Sequence, residues 1–276
     1  MATVGAMTSV HDSLSRSSAP SSPITVKVLG SLDVLGAERP FHRAGTRELV
    51  AYLALHPDGV RTDQWVTALW PDRQVAAPTI HSTSSAARRS LGRTIDGRDL
   101  LPHAHGRLRL DPSVKLDLDL VESAIEDTPE VAERAVELID GRPFAELATQ
   151  TWVVTEGHLA RAEEAISSLC RIVARRKLRA GSPSAARSIL RRGVEAVPYD
   201  ESLWRLLFEA TAAEGNLLGL DRLVTELAVT AGAHGGHVRG FPPRGLESYL
   251  HRSTWELYLR LRGATAVLGQ AGPPRG

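Results

Sequence analysis

The chain has 276 residues, 42% of them hydrophobic and 24% charged, with a formal net charge of +1. Those values describe a globular chain of one large or two medium domains, and no run approaches the roughly 18 apolar residues of a membrane span. The single cysteine, Cys170, excludes an internal disulfide and suits a reducing cytoplasm.

Residues 1–23, MATVGAMTSVHDSLSRSSAPSSP, lack the basic start and apolar core of a secretory signal. Their Ser, Ala and Pro content predicts a disordered tail. Of the 33 basic residues only Lys27, Lys115 and Lys177 are lysines, a bias that suits a high-GC genome and reports on codons. The small net charge hides an asymmetry. Residues 24–117 hold 13 basic against 10 acidic side chains, +3, and residues 118–262 hold 18 against 21, −3. Within residues 78–109 six arginines face two aspartates, a local excess that permits a polyanionic partner.

The first half opens with alternation. ITVKVLG places Ile24, Val26 and Val28 on one face, and LDVLG follows, as expected for two strands. From Thr46 the period becomes helical through Leu49, Tyr52, Leu53 and His56, until Pro57 and Gly59 stop it. Thr62 is placed to cap a second helix, TDQWVTALW, which ends at Trp70-Pro71-Asp72. Residues 78–91 predict a third helix, with Ile80, Ser84, Ala87 and Leu91 inward and His81, Ser82, Ser85, Arg88 and Arg89 outward. LLPHAHGRLRLDPSVKLDLDL alternates about a Gly- and Pro-marked turn and reads as a hairpin. Strands, three short helices and a hairpin make a small α+β domain over residues 24–117.

The second half, residues 118–262, is helical throughout. Ile166, Leu169, Cys170 and Val173 form one apolar stripe, and Leu203, Leu206, Leu207 and Ala210 another. An internal repeat is also present: Val173/Leu207, Gly181/Gly215, Ala186/Leu220 and Leu190/Val224 share a 34-residue offset, the period of tetratricopeptide helix pairs. Trp204 and Pro198 occupy positions that motif favours. Two units are too few to stand alone, so flanking helices must cap them. Residues 232–243 predict a loop, a last amphipathic helix spans residues 246–261, and residues 263–276 are expected to form a second disordered tail.

RELVAYLALHPDGVRTDQWVTALWPD resembles the first two helices of the winged-helix domain in the Streptomyces antibiotic regulatory protein family. GRLRLDPSVKLDLDLVE resembles that family's wing and its exit into the next domain. AARSILRRGVEAVPYDESLWRLLFEATAAEGN is similar to its bacterial transcriptional activator domain, and PPRGLESYLHR to the closing helix. The resemblance covers residues 24–262. It implies an OmpR-type winged helix joined to an all-α, tetratricopeptide-like domain, acting as an activator that binds promoter DNA. It also implies contact with RNA polymerase and its sigma factor through residues 70–77, with Asp72 and Arg73 as candidates, and a homodimer bound side by side on direct repeats.

A winged helix lays one helix in the major groove and its hairpin along the backbone. Arginine suits guanine and hydroxyls suit phosphate, so the outward residues of 78–91 are the reading candidates. Arg107 on the returning strand, the amides at Thr62 and Arg47 on the first helix are candidate phosphate contacts. Ser84 and Ala87 stand where the family pattern has large apolar residues, and Ala86 where it has a basic one. The rival reading is therefore a protein-interaction adaptor whose winged helix no longer reads DNA; a regulator that senses a ligand in the helical groove is third. Changing Arg88 and Arg89 together to alanine is expected to weaken DNA binding and leave the fold intact.

Other chemistry has little support. His103 with His105 and His234 with His237 form pairs, but zinc needs three or four converging ligands and neither pair has further ones in sequence. No metal or cofactor is expected. There is no P-loop, no GxGxxG after a strand and no GxSxG, so no enzyme is expected. Cys170 lies on an apolar stripe, and Trp65, Trp70, Trp152, Trp204 and Trp255 are expected as core or interface anchors, Trp152 as a bridge between domains.

Overall fold

The computed structural model describes residues 23–104, 106–147, 149–233 and 245–270. The tail expected over residues 1–23 and the loop over 232–243 thus fall almost wholly outside the described residues.

The alternating opening forms β1 (Thr25–Lys27) and β2 (Asp33–Leu35), paired antiparallel with Val26 opposite Val34. Ile24, Val26 and Val28 are buried, as period-two alternation requires. Three helices follow: α1 (Ala44–Ala54), α2 (Thr62–Leu69) and α3 (Ala77–Leu91). Between α1 and α2 lies β3 (Val60–Arg61), which joins β4 (His103–Ala104) and β5 (Arg107–Leu108) in a sheet of order β3-β5-β4.

The hairpin is shorter than its alternation suggests. After Leu108 the chain leaves that sheet, and β6 (Lys115–Leu116) pairs parallel with β1, giving a sheet of order β2-β1-β6. LDLDL belongs mostly to helix α4 (Asp117–Ile125), not to a strand. Leu118 and Val121 are buried at helical spacing and Asp117 and Asp119 sit in the first turn, where the helix dipole favours acids.

The second half contains α5 (Pro129–Ala135), α6 (Thr151–Thr155), α7 (His158–Arg179), α8 (Pro183–Ala196), α9 (Glu201–Ala213), α10 (Leu217–Thr230) and α11 (Arg252–Gln270). The 34-residue offset is visible in the helix bounds: α7 and α9 end at 179 and 213, and α8 and α10 begin at 183 and 217. Val173, Leu207, Ala186, Leu220, Leu190 and Val224 are all fully buried, and Gly181 and Gly215 make the same left-handed turn at φ +70° and +72°.

The closing helix runs later than the periodicity indicates. Residues 247–249 form one 3-10 turn, and α11 then continues through Gln270, past the 261 boundary and into the segment expected to be a tail. The helix is anchored as far as Arg262. Tyr258 Oη and Arg262 Nε both donate to the buried Asp221 carboxylate of α10, at 2.6 and 3.0 Å, and no proline interrupts residues 263–270.

The two halves share one continuous core. Asp117 is fully buried at their junction and accepts from the backbone N–H of Val28 at 2.9 Å and of Leu29 at 3.0 Å. The carbonyls of Val28, Leu29 and Gly30 are in turn taken by the N–H groups of Phe144, Asp140 and Ala145. Gly30 is required here: its φ is +145°, and a Cβ would lie 2.7 Å from the Asp140 carbonyl oxygen. Burial pushes the Asp117 carboxyl up to about 6, against the backbone donors that hold it down.

Tyr52 of α1 meets Trp152 of α6 edge to face at 5.0 Å, and the Trp152 indole N–H points at the buried Glu48 carboxylate at 3.5 Å. Trp152 thus bridges the halves. Burial raises Glu48 to about 7.

Asp117→Ala leaves two buried N–H groups unpaired and is expected to cost roughly 2–5 kcal/mol in denaturant unfolding. Because the Glu48 pKa is raised on folding, the protein loses stability as pH climbs from about 4.5 through about 7. Glu48→Gln removes that loss, so its melting temperature should match the parent near pH 4.5 and exceed it at pH 8.

Candidate nucleic-acid interface

Helix α3 is bounded by local chemistry. Pro78 sits in its first turn, where a missing N–H costs nothing, and Gly92 follows its last residue. Arg88 and Arg89 lie in the last turn, favourable to the helix dipole. Thr83, Ala87 and Leu91 are its buried residues, and Ile80 and Ser84 are half-buried. The inward face is thus centred on Thr83 rather than Ser84. The Thr83 hydroxyl tolerates burial by donating to the Thr79 carbonyl at 2.9 Å.

On the outer face His81, Ser82 and Arg89 are exposed and Ser85 half-exposed. Arg88 is not a free outward side chain. Its Nε donates to the Leu101 carbonyl at 3.0 Å, tying α3 to the root of the β4–β5 hairpin. Arg107 is exposed on β5, and its Nη1 donates to the Gly59 carbonyl at 2.8 Å, which braces the hairpin against the α1–β3 turn.

Two expected phosphate contacts are placed otherwise. Arg47 turns toward the second half: its guanidinium donates to the Leu32 carbonyl and pairs with Glu146 at 3.4 Å. Thr62 is the first residue of α2, and the cap is Arg61. The backbone N–H of Arg61 donates to Gln64 Oε1, and its guanidinium forks onto Asp63 at 3.0 Å, so charge at this helix start is already balanced. The Asp63 carboxylate is what disfavours phosphate there.

Arg39, His42 and Arg43, from the segment between β2 and α1, come to the side of α3 and form a cleft with Ser82, Ala86 and Arg89. Arg43 and Arg89 have no carboxylate within ion-pair distance among the described residues, whereas Arg93 and Arg98 are paired with Asp99 and Asp111. The run ERPFHR was the one sign of this cleft in the sequence, and its location beside α3 depends on the β2–α1 connection.

Within residues 70–77, Trp70 is half-buried with its ring 5.9 Å from Trp65, and the Arg73 guanidinium lies over it at 5.7 Å. Asp72 and Arg73 are exposed. His103 is exposed on β4; His105, His234 and His237 lie outside the described residues. Cys170 is fully buried and its thiol is pushed up to about 12, which makes it an unreactive packing group. No helix among the described residues is long and apolar enough to cross a membrane.

Residues 117–217 match the family described as the bacterial transcriptional activator domain. That match begins at the buried Asp117 and ends at the start of α10. The chain is similar to a solved structure of Mycobacterium tuberculosis EmbR in complex with a low-affinity phosphopeptide, with 23% sequence identity and a TM-score of 0.54, over 90% of this chain and 71% of that one. At that identity the likeness is one of fold: a small N-terminal sheet followed by a larger helical part. No curated protein sequence matches the chain.

Arg88→Ala is expected to lower stability by about 1 kcal/mol through the lost bond to Leu101, and Arg89→Ala to leave it unchanged in the same denaturant titration. The single Arg89 change is therefore the cleaner probe of binding than the double change.

Proposed function

We propose that this chain is a DNA-binding transcriptional regulator, an activator rather than an enzyme, in which α3 enters the major groove of double-stranded DNA and the β4–β5 hairpin follows the backbone as a wing. The observation that carries the reading is the cleft along α3, where Arg43 and Arg89 lack an acidic partner among the described residues, beside exposed His81 and Ser82. Unpaired arginines next to an exposed helix face suit phosphate contact, with Ser82, Ser85 and Arg89 left for base edges. The order α1, β3, α2, α3 and hairpin supports the reading as an OmpR-type winged helix. The match of residues 117–217 supports a role in activation.

In this reading the exposed Asp72 and Arg73, on the loop leading into α3, meet RNA polymerase and its sigma factor. The tetratricopeptide-like pairs α7/α8 and α9/α10 form a platform for protein contacts, including a second copy on an adjacent direct repeat. One observation favours the adaptor alternative: the outward face of α3 carries mostly short side chains, and Arg88 is engaged with Leu101. A winged helix kept only as scaffold has that appearance too.

Selection of bound fragments from random DNA at near-physiological salt tests the reading. A recurrent motif is expected, with Arg89→Ala relaxing its specificity and Arg43→Ala weakening binding to all sequences while lowering the salt slope by about 1. Recovery of no motif, with binding that fades uniformly as salt rises, would make the adaptor the better account.

A further inference from the structure

Away from α3, at the junction of the two halves, His56, Glu156 and His158 come together, and no pattern in the sequence links them. His56 follows α1, on the face that also carries Glu48 and Tyr52; Glu156 and His158 flank the Gly157 turn between α6 and α7. His56 Nε2 lies 3.1 Å and His158 Nε2 3.3 Å from the same carboxylate oxygen, Glu156 Oε2. The three ligand atoms all lie within 4.8 Å of one another.

The surroundings orient these atoms. His56 Nδ1 is 2.7 Å from the Tyr52 carbonyl oxygen, which accepts only, so Nδ1–H donates there and Nε2 is the ring atom left facing the carboxylate. An outer N–H held by a backbone carbonyl is also the usual support of a metal-ligating histidine. The Tyr52 hydroxyl donates to the other oxygen, Glu156 Oε1, at 3.3 Å, leaving Oε2 to the imidazoles. The Trp152 ring, 5.9 Å from His158, walls the inner side. The nearby cation, Arg161, is already held by Asp119 and Glu122 and does not compensate Glu156.

The geometry points to a divalent transition-metal site, of the kind zinc occupies, built from His56, Glu156 and His158 and spanning the two halves of the chain. The two nitrogen-to-oxygen separations are close to the edge of about 3.3 Å that four-coordinate zinc imposes with bonds of 2.0–2.1 Å. The imidazole pair selects such an ion over magnesium or calcium, which take oxygen ligands. His56 and Glu156 are part-exposed, so solvent supplies the fourth ligand. Bound there, the ion ties the end of α1 to the start of α7 and reinforces the angle at which the helical half meets α1.

The test uses the full chain, free of histidine tags and stripped with a chelator. Calorimetry with zinc and visible absorption with cobalt should both give one ion per chain. At free zinc about a hundred times Kd, the melting temperature should rise by roughly 5–10 °C. His56→Gln and Glu156→Gln, both part-exposed and checked for native circular dichroism, should each weaken binding by more than about a hundredfold, beyond what loss of an outer partner does. His103→Ala should bind as the parent does. The site is overturned by absence of stoichiometric zinc or cobalt binding, which would leave the three side chains joined by hydrogen bonds alone. It is equally overturned by binding that survives both the His56 and the Glu156 change.

Discussion

The carboxylate of Asp117 on the amides of Val28 and Leu29 is the contact on which the arrangement of the molecule rests. It joins the first residues of the helical half to the end of the first strand, and both partners are fully buried. Two backbone N–H groups cannot be left unpaired there without a large penalty, so the carboxylate stays despite the burial that raises its pKa. Because Asp140, Phe144 and Ala145 take the three carbonyls on the same segment, the carbonyls of residues 28–30 and the N–H groups of Val28 and Leu29 are all satisfied by the second half. The N-terminal sheet is therefore tied directly to the helical half rather than carried on a flexible linker.

Around that seam, charge is used to hold elements together. Arg161 grips Asp119 and Glu122 and binds α7 to α4, Arg47 reaches Glu146 across the junction, and Asp221 gathers Tyr258 and Arg262 to fix α11. Most of these pairs are partly exposed and individually weak. Their importance is geometric, since each sets which face of a helix meets its neighbour. The arginines left over, Arg43 and Arg89 among them, are the ones free to meet a polyanion. Sorting the arginines by partner separates structural from candidate functional residues more sharply than their density along the chain does.

The α3 stretch shows where pattern reading succeeds and where it stops. Pro78, Gly92 and the spacing of Ala87 and Leu91 announce a helix and its buried side, because helix ends and faces are local properties. The fate of Arg88 was not legible, since its partner is a backbone carbonyl thirteen residues away whose position depends on the hairpin. Thr62 and Arg47 fail for related reasons: a neighbouring Asp63 and a distant Glu146 decide their environment. The cluster at Glu156 lies further still from any local signal, because about a hundred residues separate His56 from His158.

Legible in the residues alone were the change from a small α+β part to a helical one, the three short helices of the first half, the 34-residue offset now seen in the ends of α7 and α9, and the burial of the alternating strand residues. All of these follow from backbone propensity and hydrophobic period, which act over a few residues at a time. Long-range packing alone set the start of a helix at LDLDL in place of a hairpin strand, the run of α11 past Arg262, the choice of arginines held by internal partners, and the convergence of two histidines and a glutamate at the seam. Those outcomes depend on which groups from distant parts of the chain compete for the same buried space and the same hydrogen bonds, and periodicity carries no record of that competition.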